Sequence, residues 1–242
     1  MLTNYFEKVH SLLQVIEEKE FTNLQEAAQK ISASLQQDGI IHLFGCGHSH
    51  ILTEEVYYRA GGLVPIHPIL HEPLMLHEGA VRSSTLEREN GYAAQFMEEE
   101  DIRQGDIMVV LSTSGRNPVP VDVARIAKEK GAFVIGMTSI QYSQSQPSRH
   151  ESGMHLFDAV DLVIDNHAPV GDALLSHPDV QVSFAPSSTV IGAAIINGIL
   201  AEAIKQMAEN GFQPPVFLSG NIEGADEHNQ QLIDKYLDRV KL

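Results

Sequence analysis

The sequence predicts an α/β protein: a doubly wound, five-stranded parallel sheet in the flavodoxin-like strand order 2-1-3-4-5, with helices ahead of it at the N-terminus. Two observations carry this prediction. Short apolar, largely β-branched runs recur along the chain, and most are followed by a segment of helical period. Strands that alternate with helices in this way pair in parallel and are covered on both faces, with right-handed crossovers.

Taken in order, Phe6, Val9, Leu12, Leu13 and Ile16 share one helical face over residues 3–17. A second helix is expected to start with Thr22 as N-cap and Gln25 completing a capping box, and its apolar face is Leu24, Ala27, Ala28, Ile31 and Leu35. Residues 40–44 read as the first buried strand, running into Gly45-Cys46-Gly47-His48-Ser49-His50 and then a helix with Leu52, Val56 and Tyr57. A second strand is expected over 64–70, weakened by Pro65 and Pro68. Residues 107–111 form the third strand, 119–130 the next helix, 133–137 the fourth strand and 162–164 the fifth. The polar stretch 140–156 reads as a long loop. A long apolar helix is expected from about Val190 to Ala208, opened by Ser187, Ser188 and Thr189, with a polar tail beyond. The chain reads as a single domain over 1–242, its core at about 20–210.

Composition narrows the function. The 242 residues are 43% hydrophobic, enough for one sizeable core. A formal net charge of -16 argues against nucleic acid or an anionic membrane as partner. It does not argue against a small phosphate ligand, because a local helix dipole can override a global field. The single cysteine, Cys46, excludes an internal disulfide and suits a cytoplasmic setting. The first residues lack the pattern of a signal peptide, and no apolar run reaches about 18 residues, so no membrane span is expected.

The chemistry is concentrated after the first and third strands. Leu111 runs into Ser112, Thr113, Ser114, Gly115, Arg116 and Asn117. A hydroxyl-rich turn between a buried strand and a helix presents backbone N–H groups, hydroxyls and the positive end of a helix dipole together, which suits a phosphate. In the expected strand order this turn lies beside Gly47 and Ser49, at the switch point where such sheets bind ligands. Ser112, Ser114, Asn117 and Ser49 could each instead serve only as helix caps. For Ser187 and Ser188, capping and ligand contact are equally consistent with the sequence. The Gly45-Cys46-Gly47 turn lacks the third glycine of a dinucleotide fingerprint, and no phosphate-loop lysine motif occurs, so no cofactor is implied.

The segment 111–117, with Ala124 in the following helix, resembles the phosphate-binding signature of sugar isomerase (SIS) domains, and the turn 45–49 resembles their first loop. Residues 185–189 and the helix after them are similar to the closing segment of arabinose-5-phosphate isomerases. The resemblance covers about residues 20–210, with layouts similar to phosphoheptose isomerases and N-acetylmuramic acid 6-phosphate etherases, and fits an uncharacterised branch. It implies a phosphosugar ligand and a homodimer or homotetramer. Phosphoheptose isomerases carry a catalytic His in the last core helix, and this chain has none near Ser188 and Thr189. Their catalytic Glu lies in the helix after the first loop, where Glu54 and Glu55 stand here.

Isomerisation of a sugar phosphate needs a base to move a proton between C1 and C2 and an acid to open the ring; an etherase needs the same parts. Glu55 is the preferred base, with Glu54, Glu72 and Glu78 as alternatives. His71 or His77 is the expected acid, and His167, after the fifth strand, could also serve. Each could instead be an ordinary solvated or backbone-bonded side chain. His48 and His50 with His71 and His77 suggest a metal-dependent hydrolase, but the spacing matches no standard zinc motif and no metal is expected. The remaining alternative is a non-catalytic phosphosugar sensor with the same pocket.

Overall fold

The computed structural model describes all residues, 1–242. Five parallel strands, β1 (Ile41–Gly45), β2 (Ile66–Pro68), β3 (Ile107–Leu111), β4 (Phe133–Thr138) and β5 (Leu162–Asp165), form one sheet in the order β2-β1-β3-β4-β5. That is the expected flavodoxin-like order. β1 and β3 pair from Ile41↔Ile107 to Gly45↔Leu111, so the two polar turns leave the sheet side by side.

Alternation along the strands divides the core. Ile107, Val109 and Leu111 face one side with Ile41, Leu43, Ile135 and Ile164. Met108, Val110, Phe44 and Val134 face the other. The first face is covered by α1 (Leu2–Lys19), α2 (Phe21–Leu35), α3 (Ile51–Val56) and, much later in the chain, α9 (Ser188–Glu209). The second is covered by α5 (Ala94–Met97), α6 (Pro118–Glu129) and α8 (Leu156–Ala159). Between them in sequence, α4 (Ala80–Leu86) packs over the turn after β1, and α7 (Ile140–Gln144) follows β4.

Several expectations are corrected. α2 starts at Phe21, not after Thr22, because buried Glu20 fixes the break between α1 and α2. Its carboxylate accepts from Asn23 at 3.0 Å, from the Asp165 N–H at 3.3 Å and from His167 at 3.2 Å. Thr22 is thereby placed inside the first turn. β2 is only three residues long, since Pro65 and Pro68 supply no N–H to a ladder. The stretch 140–156 is not all loop: Ser139 accepts from the Tyr142 N–H at 3.2 Å and starts α7. A hairpin of β6 (Leu175–His177) and β7 (Val180–Phe184), which the pattern reading missed, leads into α9.

The tail covers the sheet edge beside β2. Val64 N–H donates to Pro215 at 2.9 Å and Phe217 N–H to Gly62 at 2.9 Å, blocking an otherwise open edge. Beyond it, α10 (Ala225–Tyr236) and the residues after it pack Tyr236 and Val240 against Ile40 and Val64. By length and composition α9 could cross a membrane, with 22 residues and a mean hydropathy of 1.4 in its most apolar window. Here it packs instead along α2 and α3, burying Ile191, Ile195, Ile196 and Ile199.

Candidate functional site

The turn after β1 is shaped by its glycines. A side chain on Gly45 would meet the Ser49 backbone at 2.6 Å, and Gly47 adopts φ +55°, a region that favours glycine. Residues 47–50 form one tight helical turn, with the Ser49 N–H on the Cys46 carbonyl at 3.0 Å and His50 Nδ1 on the Gly47 carbonyl. The Ser49 hydroxyl makes no hydrogen bond within the chain and is partly exposed.

The turn after β3 is locked from β4. Thr113 accepts at its carbonyl from the Ser139 N–H at 3.0 Å, and the Ser112 N–H donates to Met137 at 3.1 Å. Gly115, at φ +58°, lies so close to Thr138 and Ser143 that a methyl group there would stand 2.6 Å from both hydroxyls. Ser112 Oγ accepts from the Gly115 N–H at 3.3 Å. The Thr113 hydroxyl takes Asn166 at 3.4 Å and so faces β5. The Ser114 hydroxyl, like that of Ser49, has no partner within the chain. Asn117 caps α6 by position, but its side chain is engaged: Oδ1 accepts from Arg149 at 2.9 Å.

Ser187 and Ser188 stand apart from these turns in their bonding. Asp172, itself at φ +50°, accepts from the N–H and hydroxyl of Ser187, both at 2.9 Å, and from those of Ser188 at 2.9 and 2.6 Å. A carboxylate of the chain therefore satisfies the N–H groups of Ser187 and Ser188 at the start of α9; neither serine side chain accepts from a helix N–H, so Asp172, not the serines, is the cap. Sequence reasoning missed Asp172; the preceding Gly171, a turn residue, was the available signal.

The two carboxylates of α3 diverge. Glu55 accepts from Arg59 one turn on, and from Asn197 of α9 at 3.2 Å. Glu54 instead points to His50, 3.7 Å away. An open groove of about 490 Å³ runs beside both, lined also by Ile51 and Ala60. His71 stacks on Phe96, with ring centres 4.4 Å apart, and bonds the Tyr92 hydroxyl at 3.0 Å. Burial, and then the charge of Arg82, hold the His71 pKa below its ordinary value, so the ring is neutral at pH 7. His77 is largely exposed, with only Glu78 nearby at 3.9 Å. His167 lies between Glu20 and Asp165, at 3.2 and 3.5 Å. No three His, Cys, Asp or Glu side chains are grouped so as to hold a metal ion.

Comparison with known proteins fits this architecture. The SIS domain family matches residues 4–139. A UPF0309 protein of Halalkalibacterium halodurans is 64% identical over all 242 residues, covering 97% of that protein. One from Caldanaerobacter subterraneus is 45% identical, covering 100% of this chain and 99% of its own. Among solved structures, phosphoheptose isomerase from Neisseria gonorrhoeae superposes with a TM-score of 0.53 at 16% identity, over 86% of this chain and 97% of that one. The Vibrio vulnificus NanR protein complexed with ManNAc-6P gives a TM-score of 0.50 at 13% identity, over 97% and 67%. With the family match spanning more than half of its length, the chain belongs to the SIS-domain family and, within it, to the UPF0309 proteins.

Proposed function

We propose that the protein binds a phosphorylated sugar and isomerises it between aldose and ketose forms. One observation carries the binding half: two serine-bearing turns leave adjacent strands side by side, and the hydroxyls of Ser49 and Ser114 have no partner within the chain. Ser112, the backbone N–H groups of the turn and the start of α6 complete an anion cradle. The Neisseria structure is a phosphoheptose isomerase and the Vibrio protein holds ManNAc-6P, which supports a sugar phosphate as the ligand class. We assign proton abstraction at the sugar carbon to Glu55, held by Asn197, and ring opening to His71, steadied by Tyr92, or to the exposed His77. A phosphosugar sensor with the same pocket is the second reading, favoured by the pairing of Glu55 with Arg59.

Replacing Ser112 and Ser114 together with alanine is expected to weaken phosphosugar binding. Each hydrogen bond to a charged group is worth about 1.5–3 kcal/mol, roughly 10- to 150-fold in affinity. Calorimetric titration with a panel of pentose, hexose, heptose and amino-sugar phosphates checks this, and wild-type affinity in the double variant would place the site elsewhere.

We also propose a symmetric homodimer. Only 39% of the most apolar window of α9 is buried within the chain, and Val190 is 42% exposed. Leu2, Phe6 and Phe21 add apolar surface on the neighbouring helices α1 and α2. Light scattering at micromolar concentration is expected to give twice the chain mass or a multiple of it; a stable monomer would refute the interface.

A further inference from the structure

With 32 acidic residues against 16 basic ones, every cation in this chain has carboxylates to spare. Arg59, Arg103 and Arg125 each pair with one, and Arg239 with both Asp101 and Asp106. Arg82, Arg88, Arg116 and Arg149 make no ion pair, and the fold gathers the last three in one place. Three segments are stitched together beside the turn after β3. The Arg149 N–H donates to the Arg116 carbonyl at 2.8 Å, the Val119 N–H to the Glu87 carbonyl at 3.3 Å, and the Glu151 N–H to Asn90 Oδ1 at 2.8 Å. Each segment contributes one arginine. Arg149 also reaches Asn117, the first residue of the α6 cap, at 2.9 Å, and Arg116 Nε donates to Pro147 at 3.1 Å.

Like charges held together repel, and this group has little to offset it. Burial and then the charges of Arg116 and Arg88 hold Arg149 below its ordinary range. Glu87 is the one carboxyl packed among them; burial pushes its pKa up against the pull of Asn117, Arg88 and Arg149, and a single carboxyl stands against three guanidinium groups. Asp122 is taken by His150 at 2.9 Å and lies 3.8 Å from Arg125. Glu89 and Glu151 point outward into solvent.

We propose that Arg88, Arg116 and Arg149 form a second anion subsite that receives a carboxylate or phosphate at the far end of a doubly anionic phosphosugar. Guanidinium forks match both groups bidentately. Arg116 lies two residues past Ser114, at most about 7 Å along the backbone, which is the span of a six-carbon chain. This inference rests on the phosphosugar reading and narrows it to substrates with two negative ends.

Calorimetric titration at fixed ionic strength with glucose 6-phosphate, 6-phosphogluconate and fructose 1,6-bisphosphate tests it. The two doubly anionic probes are expected to bind at least about 10-fold more tightly than glucose 6-phosphate, and the stronger of them identifies the second group as carboxylate or phosphate. In Arg88→Gln/Arg149→Gln that preference should fall below about 2-fold. Arg88→Gln alone, at an exposed side chain without hydrogen bonds, should lower the preference without touching the fold. Equal binding of all three probes, or a preference that survives both replacements, overturns the subsite alone. Silence toward all three overturns the subsite as drawn, and the phosphosugar reading then stands or falls on the wider panel of sugar phosphates.

Discussion

Asp106→Ala is expected to destabilise the protein by about 3–5 kcal/mol, the loss that follows when a buried ionic network is broken on one side. Asp106 stands just ahead of β3 with its side chain 2% exposed. It accepts from Arg239 at 2.7 Å, His42 at 3.2 Å, and the N–H groups of Ile40 and Arg103 at 2.9 and 2.8 Å. Its removal leaves a buried imidazole, a largely buried guanidinium and two backbone donors without their acceptor. Arg239 is the clasp of the C-terminal tail, so α10 should loosen with it. Burial alone would raise the Asp106 pKa, but its hydrogen bonds bring it down to about 2. A carboxylate with a depressed pKa stabilises the fold above its unfolded value, near 3.8, and loses that contribution as pH falls toward 2. The difference corresponds to about 2.5 kcal/mol. His42 acts in the same direction: burial lowers its pKa, so stability is full above about pH 6.5 and declines as the pH drops below it. Urea midpoints from pH 7 to 2 should therefore fall steeply for the wild type and more gently below pH 4 for Asp106→Asn. A loss under about 1 kcal/mol at pH 7 in Asp106→Ala would show that the network contributes little.

That network also shows what the sequence could and could not reveal. The apolar runs at 40–44, 107–111 and 133–137 are legible because a strand buried on both faces must be apolar throughout, and the glycines and serines after them mark turns by their own conformational needs. Hence the sheet order and the two adjacent turns follow from local pattern. Asp106, Arg239, Glu20 and Asp172 carry no such local mark. Each is an ordinary charged residue until partners distant in the chain, such as Glu20 with Asp165 and His167, surround it. The same limit applies to α9: Ser187 and Ser188 look alike as ligand contacts and as caps, and only the position of Asp172 identifies the partner they have. Asn117 looked free to meet an anion, yet Arg149 holds it.

Glu55→Gln is expected to slow exchange of the substrate's C2 proton with solvent by about 10²–10⁴-fold, the usual contribution of a positioned general base. Neighbours on a helix diverge by about 100°, so only one of Glu54 and Glu55 can face a given site. The structure separates them: Glu54 turns to His50 and is half-exposed, whereas Glu55 is held by Arg59 and by Asn197 of α9. Arg59 and Asn197 orient the Glu55 carboxylate before substrate arrives; the same Arg59 pair is what the sensor reading rests on, and the exchange measurement decides between them. Glutamine keeps the shape and the acceptor oxygen but cannot take a proton, so phosphosugar affinity should stay within about 3-fold while exchange is lost. Deuterium incorporation at C2, followed by proton NMR, separates the two quantities. Full exchange in Glu55→Gln would move the base to Glu72 or Glu78, beyond β2. Ligand binding without any exchange in the wild type would identify the protein as a phosphosugar sensor, in which Arg59 holds Glu55 as a structural ion pair.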